Sequence, residues 1–136
     1  MIPPEPVPTP NVAAAGPYSP AMRAGDWLVL SGQIGIDPST GALASGGVEA
    51  QARQALTNLT TLLSDCGVGW EQVAKVTLFV AVESPQWMKE INAVYESIVG
   101  EHRPARSTVG VAWLPMGAEF EAEAWVYVPE NIPDGS

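Results

Sequence analysis

Apolar residues recur along this chain either with the alternating spacing of strands or with helical spacing, and the first half of the chain contains both. The segments "YSPAMRAG" (18–25) and "WLVLSGQIGI" (27–36) predict two short strands joined by a turn at Gly25-Asp26. The next residues, "DPSTGALASGG", are rich in Pro, Gly and Ser and predict a loop. From Val48 to Cys66 the apolar positions follow helical spacing, and Gly67 is expected to end that helix.

The second half of the chain predicts a strand, a helix and two further strands. A β-branched run from Val73 to Val82 indicates a largely buried strand. Ser84 and Pro85 have the residue types of a helix N-cap and first turn, and the helix that follows is expected to end at Gly100. "RSTVGVAWL" (106–114) and "FEAEAWVYV" (120–128) then predict two strands separated by a turn.

The resulting order, β-β-α-β-α-β-β, predicts an α+β domain with two helices on one face of a sheet. The length of 136 residues fits a single domain. We expect a proline-rich amino-terminal arm over 1–15, one folded domain over 16–128 and a carboxy-terminal tail over 129–136.

The last strand alternates strictly, which predicts the character of its two faces. One face carries apolar or small side chains suited to a helix-covered core, namely Phe120, Ala122, Ala124, Val126 and Val128. The other face carries Glu119, Glu121, Glu123, Trp125 and Tyr127. Carboxylates mixed with aromatic rings are unusual for a solvated surface, so this face is expected to be covered by another subunit.

Arg106 stands at the start of an apolar run, where an unpaired guanidinium is costly to bury. Because a short turn links the last two strands, they are expected to pair, with Val109 and Val111 facing the core. Arg106 and Thr108 would then share the carboxylate-bearing face. Arg106 therefore needs an anionic partner, which is a carboxylate of the last strand, a neighbouring subunit or a ligand.

The acidic composition limits the choice of partner. Fifteen Asp and Glu residues stand against six Lys and Arg, for a formal net charge of −9 at pH 7. Nucleic-acid binding needs a basic patch, and the six cations are scattered along the sequence. We expect no nucleic-acid partner, whereas a small anion bound by one arginine is compatible with this composition.

Targeting signals are not recognisable in the sequence. No apolar run reaches the roughly 18 residues of a membrane span. The first residues, "MIPPEPVPTPNVAAAG", lack the basic and apolar helical segments of a signal peptide. The single cysteine, Cys66, excludes an intramolecular disulfide and suits a reducing compartment. We expect a cytoplasmic protein that does not associate with a membrane.

Six segments in register resemble the RidA/YjgF family of enamine and imine deaminases. They are "GPYSPA" (16–21), "SGQIGIDPSTG" (31–41), "EAQARQALTNL" (49–59), "INAVYESI" (91–98), "RPARSTV" (103–109) and "LPMGAEFEAEA" (114–124). The resemblance implies a chorismate-mutase-like α+β domain with a mixed sheet, assembled as a homotrimer with active sites between subunits. It also implies metal-independent hydrolysis of 2-imino and 2-enamino acids, such as 2-iminopropanoate and 2-iminobutanoate, to 2-ketoacids and ammonia.

The resemblance assigns roles to seven residues. Arg106 is expected to bind the substrate carboxylate and Glu121 to activate water. The residues that it assigns to substrate binding are Tyr18, Ser31, Gly32, Asn92 and Thr108. A guanidinium holds a planar carboxylate through two parallel hydrogen bonds, which a lysine does less well. An imine carbon is already electrophilic, so neither a metal nor a cofactor is expected.

Purely structural roles for some of these residues, and departures from the family pattern, leave other interpretations of the function open. Tyr18 and Asn92 equally suit packing roles, and a surface salt bridge would explain Arg106. Gly35 replaces a proline common in the family, and Ile98 replaces an aromatic residue; both favour a roomier cleft and a larger imine or enamine substrate. A non-catalytic ligand-binding trimer is the remaining alternative.

Overall fold

A computed structural model describes residues 2–83 and 85–129, and a six-stranded sheet runs through its centre. The strands are β1 (Glu5–Pro6), β2 (Ala21–Ala24), β3 (Trp27–Ile34), β6 (Val73–Val80), β7 (Ala105–Gly110) and β8 (Phe120–Tyr127), and their spatial order is β1-β2-β3-β8-β6-β7. Strands β4 (Ile36–Asp37) and β5 (Ala42–Leu43) form a separate small hairpin. Strands β6 and β7 run parallel and the other neighbours antiparallel, so the sheet is mixed, as predicted.

Two helices, α1 (Gly47–Asp65) and α2 (Met88–Val99), cover one face of the sheet. This arrangement confirms the predicted α+β class, and the order of the main elements is the predicted one. Helix α1 ends where Gly67 adopts a φ of +76°, a conformation that favours glycine. Before α2, Pro85 opens a short 3₁₀ turn over Pro85–Trp87. The predicted N-cap, Ser84, lies outside the described residues.

The core forms between the helices and the buried face of β8, β6 and β3. Phe120, Ala122, Ala124 and Val126 are all at most 1% exposed, which confirms the predicted alternation of β8. Val76, Leu78 and Val80 of β6 and Leu28 and Leu30 of β3 complete the sheet side of the core. Burial of this continuous apolar surface is the main stabilising contribution to the fold.

Strand β7 lies at the edge of the sheet beside β6, so the predicted pairing of the last two strands is wrong. In its parallel register, Arg106 lies opposite Val76 and Thr108 opposite Leu78. The chain leaves β7 and crosses the end of β6: the Val111 N–H donates to the Val80 carbonyl, and the Ala81 N–H donates to the Glu119 carbonyl. Strand β6 therefore separates β7 from β8.

The faces of β7 are also the reverse of the prediction. Side chains at matched positions of neighbouring strands share a face, so Arg106 and Thr108 lie on the helix-covered side with Val76 and Leu78. Val109, expected in the core, is 40% exposed and pairs with Phe79 on the opposite face. An edge strand has one neighbour fewer, so its short apolar pattern is a weak guide to the buried side.

The proline-rich arm is packed onto the same subunit. Its strand β1 pairs with β2, and the Val7 N–H donates to the Ala21 carbonyl at 3.0 Å. Further along, the backbone N–H and side-chain amide of Asn11 donate to the Asp65 carboxylate at 2.8 and 2.7 Å. The arm thus reaches from the edge of the sheet to the carboxyl end of α1. Of the predicted tail, residues 130–136 lie outside the described residues.

Gly35 lets α1 approach the end of β3 closely. A Cβ at this position would lie 2.5 Å from the backbone oxygen and 2.8 Å from the Cα of Gln51 in α1. Asn58 of α1 reinforces the contact, because its amide donates to the carbonyls of Ile34 and Ile36. Gly35 therefore serves close packing of α1 against the end of β3.

Replacing Gly35 with alanine should destabilise the protein, because the clash is with backbone that has no rotamer to change. We expect the free energy of unfolding to fall by about 1–3 kcal/mol, the usual cost of overpacking. Urea denaturation at fixed protein concentration measures this change in the free energy of unfolding. Gly110→Ala is the matched control, since a Cβ there would meet only the Val80 carbonyl oxygen at 3.9 Å. Equal losses in the two variants would contradict the packing role of Gly35.

Candidate active site

Arg106 is held by two side chains of helix α2. Its Nη2 donates to Oδ1 of Asn92 at 2.8 Å. Its Cζ lies 4.9 Å from the centroid of the Tyr95 ring, within the range of a cation–π interaction. Asn92 and Tyr95 are three residues apart, so they lie on the same side of the helix, and both contact the guanidinium.

Within the part of the chain that the structure describes, no carboxylate lies within salt-bridge distance of Arg106. The surface salt bridge with β8, considered from the sequence, is therefore not formed in this subunit. Arg103, three residues earlier in the chain, pairs with Glu96 at 3.6 Å on the surface. Arg106 keeps most of its five donors available, which is the state that an anion-binding arginine requires.

Thr108 lies two residues further along the same face of β7. Its Oγ1 is buried and has no hydrogen-bond partner among the described residues, and the same holds for the Tyr95 hydroxyl. We call Asn92, Tyr95, Arg106 and Thr108 the Arg106 cluster. A cavity of about 360 Å³ opens beside it, and Asn92, Tyr95 and Arg106 form part of its wall.

Glu121 lies in the wall of a second and larger cavity, of about 580 Å³. We call this the Glu121 cavity. Its polar wall includes Tyr18, Gly32 and Asn58, and much of the rest is apolar, with contributions from Val12, Ile34, Ile36, Pro115 and Met116. The amino-terminal arm therefore forms part of the cavity, through Asn11, Val12, Ala13 and Ala15.

Two neighbouring features set the chemistry of Glu121. Partial burial raises the pKa of its carboxyl group above the usual value, and the adjacent charge of Glu123 raises it further. A carboxylate with a raised pKa is a stronger base once it is ionised. Gly32 supplies the space for this group: a Cβ at Gly32 would lie 2.5 Å from Oε1 of Glu121.

A β-bulge between Leu30 and Gln33 places Gly32 and Ser31 at this site. Such bulges change the direction of a strand locally and are frequent beside active sites. Ser31 is used for local structure, since its hydroxyl donates to the Ser19 carbonyl at 2.7 Å and its N–H to the Pro20 carbonyl. Tyr18 lies on the loop that Ser31 fixes, and it is 49% exposed.

The structure thus divides the seven predicted site residues into two groups. Tyr18, Gly32 and Glu121 line the Glu121 cavity, with Ser31 behind it, whereas Asn92, Arg106 and Thr108 belong to the Arg106 cluster. Glu121 pairs with Phe79 on the open face of the sheet, and Arg106 pairs with Val76 on the helix face. The prediction that Arg106 shares a face with the carboxylates of β8 is therefore wrong.

Sequence reasoning missed Tyr95 as a neighbour of Arg106. Its ring both packs against the core and lies over the guanidinium. The signal that points to it is its position three residues after Asn92. The wall formed by Val12 and Ala13 was also missed, because nothing in a proline-rich arm indicates where it packs.

No helix over 2–83 or 85–129 is long and apolar enough to cross a membrane. The same residues contain no group of three or more His, Cys, Asp and Glu side chains placed to hold a metal ion.

The sequence and the fold both match known proteins. A family model described as endoribonuclease L-PSP matches residues 9–128. The chain is 40% identical over 111 residues to human 2-iminobutanoate/2-iminopropanoate deaminase, covering 82% of this chain and 80% of the human protein. The structure of the YjgF gene product of E. coli matches with a TM-score of 0.81 and 36% identity, covering 90% of this chain and 98% of that one. E. coli TdcF with bound serine matches with a TM-score of 0.82 and 31% identity, over 90% and 98% of the two chains.

Proposed function

This chain belongs to the RidA/YjgF family, and on that premise we propose that it hydrolyses 2-imino and 2-enamino acids to 2-ketoacids and ammonia. The observation that carries the proposal is an arginine held in place with its donors available, in a protein that also has a basic carboxylate in a cavity wall. Relatives named as 2-iminobutanoate/2-iminopropanoate deaminases support the choice of substrate.

The reaction is a hydrolysis of a carbon–nitrogen double bond. An enamine first tautomerises to the imine. Glu121 removes a proton from water as the water oxygen bonds to C2 of the imine, and the imine nitrogen takes up a proton. The C–N bond of the resulting carbinolamine then breaks, the hydroxyl proton is lost, and ammonia leaves with the protons that the carboxylate and solvent return. A 2-ketoacid remains, with no net change in oxidation state.

Arg106 binds the substrate carboxylate beside C2 and so orients the reacting carbon. Two parallel N–H···O bonds fix the plane of a carboxylate, which is why this residue type suits the task. Asn92 holds Nη2 of the same guanidinium, and backbone groups near Gly32 and Thr108 orient the substrate nitrogen. Tyr18 and Ser31 shape the wall on the side of Glu121, Ser31 by fixing the loop that carries Tyr18.

We propose that each active site forms between two subunits of a homotrimer. Arg106 and Glu121 lie on opposite faces of the sheet in one subunit, with β6 between their strands, so a small substrate cannot touch both in the same chain. The Arg106 cluster of one subunit would face the Glu121 cavity of the next. Trp27, Trp125 and Tyr127 are 38–47% exposed on the open face, which supports its burial by another copy.

Light scattering should therefore give a mass of about three times the 14.3 kDa of the chain. The physical reason is that a trimer is the smallest closed ring in which each subunit gives one half-site to each neighbour without a twofold interface. Sedimentation equilibrium over a range of concentrations provides an independent check. A stable monomer that still turns over substrate would contradict the composite site.

Release of ammonia and 2-ketoacid from 2-iminopropanoate and 2-iminobutanoate tests the activity directly. The imines are generated in the cuvette by an amino-acid oxidase or a threonine dehydratase, and wild type is compared with Arg106→Ala. Faster hydrolysis with wild type alone is the expected result. A folded wild-type trimer without any acceleration would overturn the proposal and favour a ligand-binding role.

Gly32→Ala should reduce turnover while the protein remains folded. The new Cβ would lie 2.5 Å from Oε1 of Glu121, so the carboxylate must move. Displacement of a catalytic group by about 1 Å can cost up to about 10²-fold in rate, and we expect kcat to fall at least tenfold. Gly110→Ala is again the control. Unchanged kcat in Gly32→Ala would mean that the position of Glu121 is not critical.

A larger imine is the second candidate substrate, and the size of the Glu121 cavity favours it. Its volume of about 580 Å³ is larger than the one-carbon side chain of 2-iminopropanoate or the two-carbon side chain of 2-iminobutanoate fills, and much of its wall is apolar. Comparing kcat/KM for imines derived from leucine and phenylalanine with kcat/KM for the imine of alanine distinguishes the two substrate classes.

RNA cleavage, which the description of the family model suggests, fits a chain of net charge −9 poorly. Measuring RNA binding as a function of salt concentration tests it.

A further inference from the structure

Tyr95 contacts the Arg106 guanidinium with its ring, yet the family resemblance gives it no role. Its ring lies under the guanidinium, 4.9 Å from Cζ to the centroid. Asn92 binds Nη2 at 2.8 Å from one turn earlier on the same helix. The arginine is thus restrained both along its plane, by a hydrogen bond, and across it, by an aromatic face.

The environment of Tyr95 shows that the ring, rather than the hydroxyl, makes this contact. The side chain is half-buried and packs against the core, and its hydroxyl is buried without a hydrogen-bond partner among the described residues. An unpaired buried hydroxyl weakens a fold. A phenylalanine would supply the same packing and nearly the same attraction for a cation.

We propose that Tyr95 is a positioning residue that fixes the orientation of Arg106 before substrate arrives. This inference rests on the proposed role of Arg106 as the carboxylate-binding group. A long arginine side chain loses rotamer freedom when it binds a ligand, and this loss of entropy weakens binding. If the side chain is already restrained in the free protein, binding no longer carries that entropic cost. Of the five N–H donors of Arg106, one is used by Asn92, and the Tyr95 contact uses the face of the guanidinium rather than its N–H groups.

A positioning role predicts a particular split of kinetic effects. The contact is the same in the enzyme–substrate complex and in the transition state. Its loss should therefore weaken substrate binding and leave the rate of the chemical step almost unchanged. KM and the dissociation constant of a carboxylate ligand should rise together, whereas kcat should hold. If Tyr95 only packed the core, its replacement would lower the melting temperature and leave ligand binding as it was.

The experiment compares Tyr95→Phe, Tyr95→Leu and Tyr95→Met with wild type. Phenylalanine keeps the ring without the hydroxyl, and methionine fills the space without an aromatic face if the leucine variant folds poorly. Val94→Ala removes buried packing from the same helix and serves as the control for lost burial. Binding of 2-oxobutanoate, which carries the carboxylate of the substrate, is measured by titration calorimetry alongside kcat and KM.

We expect Tyr95→Leu and Tyr95→Met to weaken 2-oxobutanoate binding and raise KM about tenfold, the scale of a partly buried cation–π contact. In Tyr95→Phe, KM and the dissociation constant of 2-oxobutanoate should stay within about twofold of the wild-type values, because phenylalanine keeps the ring that attracts the cation. Wild-type affinity in the leucine and methionine variants, or an equal loss in Val94→Ala, would overturn the inference.

Binding and turnover separate this inference from the proposed function. If wild type binds 2-oxobutanoate but hydrolyses no imine, the proposed function fails and the Tyr95 variants still test the positioning role on binding alone. If wild type does not bind 2-oxobutanoate, the carboxylate-binding role of Arg106 fails, and the role of Tyr95 fails with it.

Discussion

Replacing Arg106 with lysine should lower kcat/KM for 2-iminobutanoate by about 10²-fold or more, although the charge is unchanged, because the paired hydrogen bonds to a carboxylate are lost. Arg106 uses Nη2 for Asn92 and presents its planar group to Tyr95. Lysine has a single nitrogen, so it cannot bind Asn92 and a carboxylate in the same geometry. The expected loss therefore comes from orientation and not from charge.

Steady-state kinetics on enzymatically generated imine measures the effect, with thermal unfolding as the check on folding. Arg53→Lys is the matched control, since Arg53 lies exposed on helix α1 and lines neither the Arg106 cluster nor the Glu121 cavity. Its activity should equal that of wild type. Near-normal kcat/KM in Arg106→Lys would remove the two-point carboxylate contact from the mechanism.

Replacing Glu121 with glutamine should reduce kcat by about 10²–10⁴-fold, the usual contribution of a general base. Glutamine has nearly the same shape and size and lacks the titrating carboxylate, so the close approach to Gly32 and the assembly should be retained. Light scattering and circular dichroism check that the variant is folded and oligomeric. Turnover that survives the substitution would mean that another group activates water.

The pH dependence of Glu121 follows from its raised pKa. Activity needs the ionised carboxylate, so kcat/KM should fall with decreasing pH through a pKa higher than that of an ordinary glutamate. Glu123 contributes to that shift by its charge. In Glu123→Gln the acid limb should therefore move to lower pH while the plateau is kept. An unmoved acid limb would assign the titration to another group.

The same shift has a consequence for stability. A carboxyl group whose pKa is raised by folding stabilises the folded state at low pH, and that contribution is lost as the pH rises through the folded-state pKa. At neutral pH the ionised Glu121 therefore destabilises the folded state. Glu121→Gln should unfold at the same or a higher temperature than wild type at pH 7, even though it is nearly inactive. A clearly lower melting temperature would show that the carboxylate stabilises the fold.

Local patterns predicted the elements well, because their physical cause is local. The alternation of β8 separates Phe120 and Ala122 from Glu121, and burial follows that alternation closely. The helical spacing from Val48 to Cys66 corresponds to α1, which ends one residue earlier. The turn at Gly25-Asp26 joins β2 and β3, and Gly25 takes the positive φ of +60° that the turn requires.

Candidate residues were identified by motif resemblance rather than by periodicity. Arg106 and Glu121 both belong to segments whose order and spacing match the family. Their roles stay predictions until the variants are measured. Gly35 shows the limit of such comparison: a glycine in place of proline was taken as a source of room, but its neighbour in space is the backbone of Gln51.

What the sequence by itself determined is the order of the main elements, the buried face of the long central strand and the residue types available for chemistry. Strands β1 and β5 lie in segments that it predicted as an arm and a loop. Only the tertiary structure decided that β6 lies between β7 and β8, because strand neighbours depend on the path of α2 and of the segment across the end of β6. The register of β7 against β6 places Arg106 on the helix-covered face, opposite to the face that carries Glu121. Neighbours that are distant in sequence, such as Tyr95 beneath Arg106, follow from the same packing and have no periodic signal of their own.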